Sequence, residues 1–289
     1  MCSLLDVVSS VCAFALEQGI DTEYVGNLFR MYGIAVPLFD TSNAQLRIRT
    51  LGEFSVMRAN APLTFSHKSP KKPLALLKVL IALQGENVSE ARLADWLWPY
   101  AAGDAAHKAL SVSLFRLRNL IDNRNAIRLR DGRVSLDTHF CWVDARAFEL
   151  TLDQADSMKD FVPREPWVGL IQRALDFYCG AFLPEDVDEP WSISTRERLR
   201  SKMIRHVAEL ASHYAQESRW DDALQCYRKG LEVDDLAEEF CQGLMRCCFQ
   251  LDRRAEGMCA YRRLRQTLSL VLGVPPSRAS EALFKQLRG

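Results

Sequence analysis

Residues 104–137, DAAHKALSVSLFRLRNLIDNRNAIRLRDGRVSLD, join a basic amphipathic stretch to an alternating one rich in arginine. At helical period Ala106, Leu110, Leu114, Leu117 and Ile121 share one face, which predicts a helix buried along that side. Lys108, Phe115 and Asn119 point roughly the opposite way, and Ser111, Arg116 and Arg118 lie on the flanks. From residue 127 to 136 apolar and polar residues alternate around Asp131-Gly132, the turn pair of a tight hairpin. The alternation sends Arg128, Arg130 and Arg133 to one side. A helix sized for a DNA major groove, followed by a cationic hairpin, predicts a winged helix-turn-helix.

The flanking sequence supplies the remaining parts. Residues 46–51 and 54–58 alternate as strands, with 63–66 as a third. Residues 71–83 form an apolar helix entered by Pro70 and Pro73 and closed at Gly85. Ser89 caps the next helix, Val88 and Leu93 have the spacing of a hydrophobic staple, and Pro99 stops it after Trp98. The predicted order is short strands, three helices and a terminal hairpin. Ahead of it, residues 3–33 read as two short helices parted near Gly19, and 37–45 as a linker.

The C-terminal half is helical and repetitive. Asp222-Ala223-Leu224-Gln225-Cys226-Tyr227-Arg228 recurs 34 residues later as Glu256-Gly257-Met258-Cys259-Ala260-Tyr261-Arg262, the tetratricopeptide period. Leu210 matches Leu244, and Arg219 matches Arg253, at the same offset. Ala223 and Gly257 permit close helix approach, with Tyr227 and Tyr261 filling the core. Stacked helix pairs of this kind create a concave surface suited to a peptide or another subunit. The expected fold is therefore mainly α with small β elements. Its domains are a helical segment (1–36), a linker (37–45), a winged helix (46–143) and a tetratricopeptide-like domain (144–289).

Charge localises the function. The 289 residues carry no net charge, but 1–45 have a net of −4, 46–143 a net of +7 and 144–289 a net of −3. Positive charge is thus confined to the winged-helix segment, where phosphate contacts need it. Nine cysteines, an odd count, form no Cys-x-x-Cys pair, which points to a reducing cytoplasm. No zinc-ligand spacing, activated nucleophile or convincing carboxylate pair is present, so no metal, cofactor or catalytic residue is assigned. There is no Gly-rich loop ending in Lys-Ser/Thr. The acidic run at 185–189, between Pro184 and Pro190, reads as a solvated loop. The apolar stretch 4–16 contains Asp6 and is too short to span a membrane.

The chain resembles the bacterial transcriptional activator domain regulators, including those of the SARP type, with an OmpR-type winged helix. The similarity is carried by Arg47-Ile48-Arg49-Thr50-Leu51-Gly52-Glu53-Phe54, Lys72-Pro73-Leu74-Ala75-Leu76-Leu77-Lys78 and Leu93-Ala94-Asp95-Trp96-Leu97-Trp98-Pro99. Further on it is carried by Gly180-Ala181-Phe182-Leu183-Pro184, by Trp191 with Arg196-Glu197-Arg198-Leu199, and by Ala260-Tyr261-Arg262-Arg263-Leu264. The N-terminal segment is similar to the tail of a longer helical array in large MalT-like members.

The resemblance implies a sequence-specific regulator of double-stranded DNA that activates transcription, with RNA polymerase as a further partner. It matches Lys108 and Arg118 to phosphate contacts, and Ser111 and Arg116 to residues facing base edges. Phe115 stands where the family often has arginine, which implies apolar contact with a thymine methyl. Arg128, Arg130 and Arg133 place the wing on phosphate or in the minor groove. Useful affinity needs two copies, so a homodimer or higher oligomer is expected, cytoplasmic and nucleoid-associated, with no membrane partner. The competing reading is a protein-binding scaffold whose winged helix has lost DNA.

Overall fold

The computed structural model describes residues 45–59, 61–63, 70–159 and 164–288. The helical segment 1–36 and all of the linker but Gln45 lie outside the described residues. In chain order come β1 (Leu46–Arg49), β2 (Ser55–Arg58), β3 (Ala61–Pro62), α1 (Lys71–Ala82), β4 (Val88–Ser89), α2 (Glu90–Leu97) and α3 (Gly103–Ile121). Next are β5 (Ile127–Arg130), β6 (Arg133–Leu136), β7 (Cys141–Val143), α4 (Asp144–Ser157), α5 (Glu165–Phe177) and a 3-10 turn, Pro184–Asp186. The last are α6 (Pro190–Gln216), α7 (Trp220–Val233), α8 (Glu238–Gln250), α9 (Arg254–Val271) and α10 (Arg278–Arg288). The described chain is mainly helical with two small sheets, and it divides after Leu199 into two compact units.

In the first unit the front sheet runs β3-β2-β1-β7. Ile48 is opposite Val56 on antiparallel β2 and Val143 on parallel β7, so period-2 alternation buries all three on one face. A return strand is described at Ala61–Pro62, where Ala59 turns back at φ +46° and Met57 pairs with Pro62; of the third strand expected at 63–66, all but Leu63 lies outside the described residues. Helices α1, α2 and α3 pack around buried Leu76, Leu80, Leu93, Leu110 and Leu117. The Ser89 hydroxyl accepts the Arg92 amide at 3.3 Å, as its capping position predicts. The second sheet, β4-β6-β5, attaches the wing hairpin to the strand that leads into α2.

A seam ties these elements to α4 and α5. The Asp144 carboxylate accepts Thr50 N and Oγ1, Leu51 N and Ala145 N at 2.6–2.9 Å. Beside it, Leu183 N donates to Thr50 O at 2.8 Å and Gly52 N to Ala181 O at 3.0 Å. Gly52 and Gly180 make this approach possible, since a Cβ on Gly180 would lie 2.8 Å from Gly52 Cα. The acidic run is mostly exposed, as expected of a solvated loop, but it also contributes to the seam. Asp186 binds Lys78 Nζ at 2.6 Å, a pair that is largely buried, and Glu189 accepts the Trp191 indole N–H at 2.9 Å. Glu185 and Asp188 are exposed. Arg196 donates to the carbonyls of Phe182, Leu183, Asp186 and Val187, and so holds Leu183 at φ +44°.

The second unit repeats itself down to its turns. Ser218 (φ +58°) and Asp252 (φ +56°) each end a helix in the left-handed region. Arg219 N then bonds Tyr214 O at 2.9 Å, and Arg253 N bonds Cys248 O at 2.8 Å, all at the 34-residue offset. Gly257 is buried against Leu287, and Tyr261 stacks on Phe284 with centroids 4.3 Å apart. Gly243, facing the Tyr227 ring, is the closest approach: a Cβ there would fall 2.3 Å from the ring. Cys226, Cys241, Cys247 and Cys248 fill this core as free thiols, and burial pushes them up to about 11 or 12. Among the described residues no helix is long and apolar enough to cross a membrane.

Two alanine substitutions are expected to move stability in opposite directions. Gly180→Ala forces the seam apart and should cost about 1–3 kcal/mol. Gly169→Ala, in the exposed middle of α5 with nothing within 4 Å of the new Cβ, should add about 0.5–1 kcal/mol. Urea unfolding of both variants checks the signs.

Candidate nucleic-acid interface

Helix α3 is amphipathic along its whole length, and its apolar stripe at Ala106, Leu110, Leu114, Leu117 and Ile121 is fully seated in the core. Seating that stripe fixes which residues face outward. Lys108, Ser111, Phe115, Arg116 and Asn119 are all exposed. Neither Lys108 nor Arg116 has a side-chain hydrogen bond or ion pair with another described residue. The Ser111 hydroxyl donates to the His107 carbonyl at 3.0 Å, which occupies its proton and leaves its lone pairs. The outward pole also carries Val112, 49% exposed beside Phe115 at 59%. Sequence reading passed over Val112 because a valine amid leucines reads as core, although its helical phase is opposite to Leu110.

The wing forms as Asp131-Gly132 requires, with both residues at positive φ and Arg130 paired to Arg133 across the turn. Arg128 and Arg130 share a face with their cross-strand partners Ser135 and Arg133. Their surroundings then separate them. Arg128 is ion-paired to Asp137, a carboxylate only 3% exposed that also binds the His139 ring at 3.0 Å. Arg133 donates to the Asn87 carbonyl at 2.9 Å. Arg130 is 92% exposed, and its only described partner is the equally exposed Asp131 at 3.7 Å, a contact worth little in water.

Arg118 is turned inward. Its Nε and Nη2 donate to the Ile127 carbonyl at 3.0 and 2.7 Å, which anchors the first wing strand to the end of α3. Asn123 supports the same junction by accepting the amides of Asn125 and Ala126. The arrangement is a polar, cationic helix face beside a hairpin tip, with Lys108, Arg116 and Arg130 as its uncompensated charges.

The model of the bacterial transcriptional activator domain matches residues 143–288. The chain belongs to that family. The Gly180–Pro184 and Arg196 stretches of the seam described above fall within the matched residues. Among solved structures, the chain is similar to EmbR of Mycobacterium tuberculosis, in a complex with a low-affinity phosphopeptide. The two share 19% identity with a TM-score of 0.63, over 84% of this chain and 65% of that one. At that identity the likeness concerns the fold, and the chain spans about two-thirds of the EmbR chain. No curated protein matches the sequence.

Arg118→Met keeps the aliphatic stem and removes both bonds to the Ile127 carbonyl. It should destabilise the unit by about 1–3 kcal/mol, because a buried acceptor loses a charged donor. Amide exchange in residues 127–130 should accelerate, and an unchanged rate would mean the wing does not depend on this anchor.

Proposed function

We propose that this chain is a sequence-specific DNA-binding transcriptional regulator, an activator, that inserts α3 into the major groove and sets the wing beside it. The observation that carries the proposal is the set of three exposed cations without a close described partner, Lys108, Arg116 and Arg130, on one helix and one hairpin. Membership of the activator-domain family and the +7 charge of residues 46–143 support it.

Within this reading the residues divide by task. Lys108 and Arg130 meet phosphate, the latter from the wing tip or in the minor groove. Arg116 and Ser111 face base edges, with Arg116 suited to the bidentate acceptors of guanine. Arg118, Arg128 and Arg133 position the wing through their internal bonds and so act on DNA indirectly. One module with few phosphate contacts binds weakly, so two copies on paired half-sites are required. We place self-association, and contact with RNA polymerase, on the helical unit, where Leu270, Val271, Leu272 and Val274 stay 45–76% exposed. The proposed location is the cytoplasm, at the nucleoid.

Selection from a random duplex pool at fixed salt tests the reading. Wild type should enrich a repeated motif, and no enrichment would leave the scaffold reading in its place. Arg116→Ala should relax preference at one base pair, at a cost of about 1–3 kcal/mol. Arg130→Ala should weaken all sequences alike and lower the salt slope by about one.

A further inference from the structure

On the outward pole of α3, Lys108, Val112, Phe115 and Asn119 follow one another at steps of four, three and four residues, the spacing of a single helical stripe. Its centre is therefore apolar. Val112 and Phe115 are 49% and 59% exposed on a helix whose remaining apolar residues are largely buried in the core. Isolated exposed apolar side chains are ordinary. This pair shares its helix with Lys108 and Arg116, exposed cations that no described acid neutralises closely. A face so charged favours a polyanion over an apolar protein surface.

From this stripe, and resting on the DNA-binding reading above, we infer that Val112 and Phe115 read the C5-methyl groups of thymines at two neighbouring base pairs. In the major groove the thymine methyl is the apolar feature that marks a T·A pair, and neither side chain can hydrogen-bond the polar base edges. The spacing fits. Three residues of helix advance about 4.5 Å, close to the ~3.4 Å between successive base pairs. Arg116, next to Phe115 in the chain, then falls toward the adjoining pair. The chain's site should combine a short thymine step with a guanine, rather than a guanine-dominated pattern read by arginine alone.

The test uses the intact chain and the duplex that wild type selects, with each thymine replaced singly by deoxyuridine, which keeps every hydrogen bond and removes only the methyl. Two adjacent replacements should each weaken binding about fourfold, the value of one buried methyl group. Val112→Ala should abolish the penalty at one of them and Phe115→Ala at the other, while each leaves the penalty at its neighbour. Both residues are exposed, so both variants should fold, and the uracil series on wild type needs no variant at all. Uniform tolerance of uracil by wild type, with a motif still enriched, would overturn the methyl readout and leave the DNA-binding reading standing. Failure to enrich any duplex would overturn that parent reading. A Val112→Ala/Phe115→Ala protein with an unaltered motif would also overturn the inference and return the pair to a protein partner.

Discussion

The carboxylate of Asp144 is the point on which the first unit turns. It is 4% exposed and gathers four donors from the end of β1 and the start of α4. Burial pushes its pKa up, while the bonds from Thr50, Leu51 and Ala145 act in the opposite sense. Without the carboxylate, those buried donors would lose partners that water cannot replace, which makes the contact obligatory rather than decorative. Once it forms, β7 must run parallel to β1. The Gly180–Leu183 backbone can then lie along residues 50–52, with Gly52 and Gly180 admitting the close approach. The winged helix is thereby built into the same compact unit as α4 and α5.

That rigidity matters for the candidate interface. A helix can present a fixed pattern to a groove only if its inner stripe is immobilised, and α3 is seated by five buried apolar residues along its length. The wing is held from both sides, by Arg118 on the Ile127 carbonyl and by Arg128 on buried Asp137. On α3 and the hairpin, Lys108, Arg116 and Arg130 are the cations left without a close described partner.

Much of this was legible in the chain because the responsible forces are local. Hydrophobic period decided α3 and its buried face, Asp-Gly decided the wing turn, and Ser89 decided where α2 begins. The 34-residue repeat was visible in the apolar pattern, and the structure extends it to the left-handed turns at Ser218 and Asp252. Three features were not legible. Strand β7 is three residues long and pairs with a strand more than ninety positions earlier, beyond any local signal. The acidic run looked solvated because its cation, Lys78, arrives from α1. Val112 was overlooked because an apolar residue between leucines suggests burial until the phase of the helix is fixed.

The sequence by itself determined the order of the main helices and the wing, the cationic segment and the repeat, since these follow from period, turn chemistry and charge. Only the tertiary structure decided which of the wing's cations remain without a close partner. Alternation places Arg128, Arg130 and Arg133 on one side but is blind to Asp137 and Asn87, which come from elsewhere in the chain and bond two of the three, both still exposed. A guanidinium's availability depends on the acceptors that folding brings within about 3 Å of it, and no local pattern carries that distance.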